Sequence, residues 1–312
     1  MTMDAKTPRA DTGGPSREKF ARTARDLEVN ELPVLPGVVV RLMALSPQTE
    51  QFFEEVLTIA SEDPALALRV IRTANSPISA PRSPVETIEG AIARLGANHV
   101  AELVTTVAIA RVFVPTSAGE TELWLHAIEV ATACRAIVEH LHVEGVTAEH
   151  AYLAGLLHDI GRFILFDQAP DFIRAVDDLA WTTPQELVEA ERQVCGIDHA
   201  ELGSRVCAHW DVPERIRGIV QDHHRDLNEM SDAARPLLGT VKIADWLSIW
   251  HRTHELGADD DVAEAMAQSL PNITISGVHK PTIVTATELA RILPEVLAAR
   301  TRAIRDLGLV VH

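Results

Sequence analysis

The sequence predicts an all-α protein, and three observations carry that prediction. Apolar residues recur at three- and four-residue spacing through most of the chain, the period of a helix with one buried stripe. Aromatic residues are few, seven Phe, five Trp and one Tyr, while Ala, Leu, Val and Ile supply the apolar mass, a composition suited to packed helices more than to strands. The apolar–polar alternation of a half-buried strand is almost absent.

Residues 1–26 hold Pro8, Gly13, Gly14 and Pro15 among charges, which predicts a disordered tail. A first helical part is expected over 27–116. Leu32, Leu35, Val38, Val39, Leu42 and Met43 open it in helical period, and Phe52, Phe53, Val56, Leu57 and Ile59 follow. Asp63-Pro64 reads as an N-cap with proline in the first turn, and that helix should stop near Asn75-Ser76-Pro77. Ser83-Pro84-Val85-Glu86 reads as a capping box whose helix runs through Ile88, Ala91, Ile92 and Leu95 to a terminating Gly96. The loop Pro115–Gly119 separates this part from a second, over 117–255. Helices are expected there at Leu123–Leu141 and at Ala148–Phe166 as one unbroken element. Others should run from a capping box at Thr183-Pro184-Gln185-Glu186 to Val194, over His199–Trp210, from Asp211-Val212-Pro213-Glu214 onward, and over Pro236–Trp250. Residues 256–312 look less regular, with Pro271 and Gly277 as breakers, before a last helix from Thr287 in which Pro294 predicts a kink.

The chain has 312 residues, and its 45 Asp plus Glu against 28 Lys plus Arg leave a formal charge of −17. The length is that of about two domains. So acidic a balance excludes a general nucleic-acid binder, which needs a field of Lys and Arg facing phosphate. Cys134, Cys195 and Cys207 are odd in number and in no paired spacing, as expected of free thiols in a reducing cytoplasm. The polar start lacks the apolar run of a secretory signal. The most apolar stretch, Val100–Val114, is broken by Glu102 and Arg111 and is too short to span a bilayer, so a cytoplasmic protein with no membrane contact is expected. Trp124, Trp210, Trp246 and Trp250 are expected in the core, and Asp259-Asp260-Asp261 in a solvated loop.

Histidine is the unusual residue, at 14. Glu122 and His126 stand four apart on one helix face. His158-Asp159 lies inside the apolar run Leu153–Ile160, where two ionisable groups are costly unless something satisfies them. His199 opens a helix, His223-His224 follow another, and Asp245 sits in the apolar text Val241–Leu247. Five imidazoles and three carboxylates so placed are an N/O ligand set suited to Fe, Mn or Zn more than to Mg or Ca. Taken singly, each has a plainer role: a lone helical histidine is more often a satisfied core or surface group, Glu122 suits a helix first turn, and Asp245 suits a cap or salt bridge. The metal reading rests on the set.

Residues 31 to about 250 resemble the HDOD family, a branch of the HD superfamily of bacterial signalling proteins. The text that carries the likeness is Leu32-Pro33-Val34-Leu35-Pro36, Asp63-Pro64-Ala65-Leu66, Ala74-Asn75-Ser76-Pro77, Ala91-Ile92-Ala93-Arg94-Leu95-Gly96 and Gly155-Leu156-Leu157-His158-Asp159-Ile160-Gly161-Arg162. The resemblance implies an N-terminal helical subdomain packed on an HD-like bundle. Most HDOD proteins resemble degenerate HD domains that have lost metal ligands, whereas here His126, His158, Asp159 and Asp245 fall where HD phosphohydrolases carry theirs. His199, His223 and His224 fall at the additional ligand positions of HD-GYP cyclic-dinucleotide phosphodiesterases, and Glu122 at their third-metal glutamate.

Two or three divalent ions are thereby implied, Fe or Mn first and Zn as an option. Asp159 would bridge two of them, with His126, His158 and Asp245 completing one centre and His199, His223 and His224 the other. Arg162 replaces the lysine common in HD-GYP enzymes and is the candidate phosphate-binding group beside the catalytic Asp159. The text Arg225–Met230 has no Gly-Tyr-Pro segment, which argues against cyclic di-GMP as substrate. The expected function is hydrolysis of a small phosphorylated ligand, a nucleotide or cyclic dinucleotide. The alternatives are a signalling scaffold or ligand sensor with a protein partner, and a di-iron oxygenase.

Overall fold

The computed structural model describes residues 36–47, 49–76, 84–229, 231, 234–254, 261–270, 274–276 and 281–307. The expected tail at 1–26, Leu32–Leu35, Pro77, Ser83, Met230, Asp259-Asp260, Pro271 and Gly277 lie outside these residues. Among the described residues the fold is all-α apart from one two-stranded antiparallel ribbon, Thr274–Ser276 (β1) with Pro281–Ile283 (β2).

Among the described residues, five helices form the first part: α1 (Gly37–Met43), α2 (Glu50–Glu62), α3 (Pro64–Ala74), α4 (Ile88–Leu95) and α5 (Ala97–Val112). Asp63 caps α3 by accepting the Ala65 and Leu66 N–H groups at 2.8 and 3.3 Å, and it also binds Arg111. Asn75, just past α3, clasps Val85 from both sides. Its Nδ2 donates to the Val85 carbonyl and its Oδ1 accepts the Val85 N–H, each at 2.8 Å. That clasp keeps residues 84–86 out of the helix expected from Ser83. The cap of α4 is instead Thr87, whose Oγ1 accepts the Gly90 N–H at 3.0 Å. Phe52, Val56, Ile59, Val70, Ile92 and Val104 close this core. Helix α5 serves two cores, since its end, at Ala108 and Ile109, joins the larger one.

The larger core is built on α6 (Ala118–Leu141), which a Ser117–Glu120 capping box starts five residues earlier than expected. Around it stand α7 (Ala148–Leu157), α8 (Ile160–Gln168), α9 (Pro170–Asp177), α10 (Pro184–Cys195), α11 (His199–His209), α12 (Glu214–Asp222), α13 (Arg235–Thr253), α14 (Val262–Ala267) and α15 (Ala286–Leu307). Helix α15 continues through Pro294 and lies along α6. Trp124, Trp210 and Trp250 are buried here, and the three cysteines are buried and free. Among the described residues no helix is long and apolar enough to cross a membrane.

The expected helix Ala148–Phe166 is two helices, broken at His158-Asp159. The Gly155 carbonyl, which an unbroken helix would give to the Asp159 N–H, accepts the His158 Nδ1–H at 2.7 Å. Asp159 then takes φ −100°, ψ 17°, the sparsely populated bridge region where site residues often sit. Close approaches pin the break on both sides. A Cβ on Gly155 would meet the Ala131 backbone at 2.8 Å, and one on Gly161 would meet the His199 carbonyl oxygen at 2.0 Å.

Candidate metal centre

Asp159, at the break, is the midpoint of the site. One of its carboxylate oxygens, Oδ2, lies 3.5 Å from His158 Nε2 and 3.7 Å from His126 Nε2. The other, Oδ1, lies 3.3 Å from His199 Nε2 and 3.5 Å from His223 Nε2. His126 Nε2 also stands 3.3 Å from Asp245 Oδ1, and His199 Nε2 stands 2.8 Å from His224 Nε2. The groups fall into two sets, His126, His158 and Asp245 on one side and Asp159, His199, His223 and His224 on the other. Within each set one ligand atom per residue lies within 4.8 Å of the rest.

Each side chain is aimed by its helix. His126 is on α6 and Asp245 on α13. His158 and His223 repeat one device: each follows the end of a helix, α7 or α12, and donates its Nδ1–H to the carbonyl three residues back, Gly155 at 2.7 Å or Val220 at 2.8 Å. His199 is the first residue of α11, which Asp198 caps. Its backbone N–H and its Nδ1–H both donate to Glu191 Oε2, at 2.8 and 2.5 Å. Because those acceptors take Nδ1–H, the Nε2 atoms of His158, His199 and His223 turn lone pairs inward when the rings are neutral.

Lone pairs facing at such distances repel unless a cation or proton lies among them. His199 Nε2 is only 3.2 Å from His223 Nε2. Burial opposes charge on His199, yet the Glu191 and Asp159 carboxylates outweigh it and raise its pKa to about 10. Burial and the neighbouring histidines press His224 down to about 2, and burial lowers His158 to about 4. Asp159 resists its own burial and stays well below the usual carboxylate range because the histidines favour its anion. With metal–nitrogen bonds of about 2.0–2.1 Å, ligands about 90–110° apart stand roughly 2.9–3.4 Å from each other. Most of the ligand separations fall in or near that range, so the donor chemistry and spacing fit a divalent ion in each set.

Glu122 lines the same cavity as the cluster but falls in neither ligand set. Arg300 of α15 binds both of its oxygens, at 3.0 and 3.1 Å, and its side chain is 42% exposed. Arg162 is buried in the wall of the adjoining cavity, of about 410 Å³, which also exposes His126, Asp159, His199, His224 and Asp245. Its guanidinium lies 5.6 Å from the Trp181 ring centre and 6.0 Å from that of Phe166. Its Nε is buried without a hydrogen-bond partner among the described residues, 4.0 Å from the equally unpartnered Glu191 Oε1.

The residues that local patterns did not single out are those supporting the ligands: Glu191, Trp181, Glu129, Ser248, Arg252 and Arg300. Two left a trace. Glu191 falls four residues from both Leu187 and Cys195 on the buried stripe of α10, and Glu129 interrupts the apolar run Ala127–Ala131 of α6.

Among known proteins, the HDOD domain family model matches residues 32–226. A protein of Treponema pallidum (strain Nichols), named only as uncharacterized, is 21% identical over 236 residues, 73% of this chain and 44% of that one, so the chain spans less than half the length of that relative. A crystal structure of an HDOD domain protein of unknown function from Geobacter sulfurreducens superposes with a TM-score of 0.72 at 24% identity, covering 92% of this chain and 97% of that one. A Shewanella amazonensis SB2B protein provisionally named a phosphohydrolase gives 0.66 at 23% identity, covering 92% and 99%. At these identities the likeness is one of fold.

Proposed function

The chain belongs to the HDOD family, and on that premise we propose that it is a metal-dependent phosphohydrolase centred on the carboxylate of Asp159. The observation that carries this reading is the division of that carboxylate, Oδ2 toward His126 and His158 and Oδ1 toward His199 and His223. His126, His158 and Asp245 would hold one ion and His199, His223 and His224 the other, with Fe or Mn best suited and Zn next. Bound ions would supply Lewis acidity toward a phosphoryl oxygen and a lowered pKa for bound water.

The chain's own residues supply the rest. Arg162 offers a guanidinium to the phosphate, its plane steadied by Trp181 and Phe166 and its charge offset from behind by Glu191. The aromatic pair and Leu123, Leu187 and Ile249 give the cavity an apolar wall that excludes water and suits the organic part of a phosphate ester. Its volume is within the range of small-molecule sites. A nucleotide or cyclic dinucleotide is the substrate class this favours. Cyclic di-GMP is the less favoured member, since Leu227–Glu229, a short 3-10 turn, stands where HD-GYP enzymes carry Gly-Tyr-Pro.

Metal analysis of the full chain should find close to two transition-metal ions per molecule, and the loaded protein should hydrolyse at least one member of a panel of nucleoside phosphates, linear dinucleotides and cyclic dinucleotides. Metal well below one per chain would sink the proposal. Full metal with no hydrolysis would point to a scaffold or sensor, and oxygen uptake by the iron form to an oxygenase.

A further inference from the structure

Nδ1 of His126 has two neighbours of opposite kind, Ser248 Oγ at 2.9 Å and Arg252 Nη2 at 2.9 Å. Ser248 gives its one proton to Glu129 Oε2 at 2.5 Å, so toward His126 it can only accept. A guanidinium can only donate, and a neutral imidazole has one proton. Nδ1 therefore satisfies one neighbour at a time. Bonded to Ser248, Nδ1 carries the proton and Nε2 keeps its lone pair toward Asp245 and Asp159, 3.3 and 3.7 Å away. Bonded to Arg252, Nδ1 accepts, and the proton moves to Nε2, where it closes the ligand position by pointing at Asp245.

We infer that Glu129, Ser248 and Arg252 are a tautomer selector for His126, in which Glu129 and Ser248 hold the metal-binding form and Arg252 the closed form. The inference rests on the reading that the cluster holds divalent ions and adds that one half of it is adjustable. The ligands His158, His199 and His223 have no such choice, since each gives Nδ1–H to a carbonyl or carboxylate. Glu129 is fully buried on α6, and its fixed position comes from elsewhere in the fold. Arg300 of α15 donates to its Oε1 at 2.8 Å, and His251 Nε2 stands 3.1 Å from its Oε2. Arg252 is itself steadied by the Ser248 carbonyl at 3.0 Å. Glu129, Ser248 and Arg252 act as positioning residues, through His126.

The test uses the full chain, its Ser248→Ala and Arg252→Met variants, Mn(II) titration by calorimetry, and histidine nitrogen NMR of the metal-free proteins labelled with ¹⁵N-histidine. His126→Asn identifies the His126 signals. Ser248→Ala should lose about 10- to 100-fold in affinity at one class of site, the usual cost of removing a group behind a ligand, and leave the other class unchanged. Arg252→Met should bind at least as tightly as the parent. In the metal-free spectra His126 should carry its proton on Nδ1 in the parent and in Arg252→Met, and on Nε2 in Ser248→Ala. Equal losses in the two variants, or an unchanged His126 spectrum in Ser248→Ala, would overturn the selector. A parent that takes up no Mn(II) would remove the metal reading alone, and the spectra would still decide the selector.

Discussion

At the scale of single residues, Asp159 and Asp245 are both buried carboxylates beside His126 but are not equivalent. Asp245 is held to about 2 because the adjacent His126 and His158 imidazoles outweigh its burial, and it serves one set of ligands. Asp159 faces both. Asp245→Asn should therefore lose about one metal ion per chain, and Asp159→Asn should lose both, as read by metal analysis after dialysis against buffer. Equal losses would show that Asp159 does not bridge. Both residues could be named from the sequence, because an acid inside an apolar run is a local anomaly. Glu122 shows the limit of that kind of inference. It stands four residues before His126 and lines the same cavity, but Arg300, 178 residues away, binds both of its oxygens.

Among the elements, the break between α7 and α8 creates the site. Apolar periodicity runs straight through Leu153–Leu165 and predicts one helix. Periodicity reports which face is buried, and both halves are buried, so it carries no sign of the interruption. Neighbouring helices cross the two halves closely at two glycines, on either side of the break. Gly161 lets α8 lie against the first turn of α11, and any side chain there would strike the His199 carbonyl oxygen. Gly161→Ala should push α8 and α11 apart, lower the melting temperature by a shift matching at least about 1–3 kcal/mol of overpacking, and weaken metal uptake by the set that contains His199. A melting curve and metal content equal to those of the parent would show that the contact is relieved elsewhere. Caps were read more reliably than breaks. Asp63 and Thr183 lie beside the N–H groups they bind, whereas Asn75 acts at Val85, ten residues on, and so displaced the cap expected at Ser83.

Over the whole molecule, α15 ties the larger core together from beyond the matched family region, and Arg300 is its point of attachment to Glu129. Burial disfavours the Glu129 anion, but the His251 imidazole 3.1 Å away and hydrogen bonds from Ser248 and Arg300 outweigh that effect and hold its pKa at about 2 against an ordinary 4.5. A depressed carboxylate contributes stability above its unfolded pKa and loses it as pH falls toward the folded one. This contribution, on the order of 3 kcal/mol at most, should be present above about pH 5 and fade between about pH 4.5 and 2. Glu129→Gln should accordingly be less stable than the parent at pH 7, with the difference shrinking below pH 4 in urea titrations. A constant difference across that range would exclude the linkage. The −17 charge takes on a local meaning at this scale, since part of it is turned inward, toward imidazoles, arginines and the proposed ions. What the sequence determined by itself was the helical class, most helix starts, and the identity of the histidines and aspartates that meet at Asp159. Those properties live in periodicity, in capping chemistry and in the cost of burying a charge, all of which act within a few residues. The tertiary structure alone decided that α7 and α8 are separate, that Glu122 pairs with Arg300, and that Glu191, Ser248 and Glu129 stand behind the ligands. Each depends on how closely helices distant in sequence approach, as with Ser248 and Glu129, 119 residues apart, and no local pattern encodes that distance.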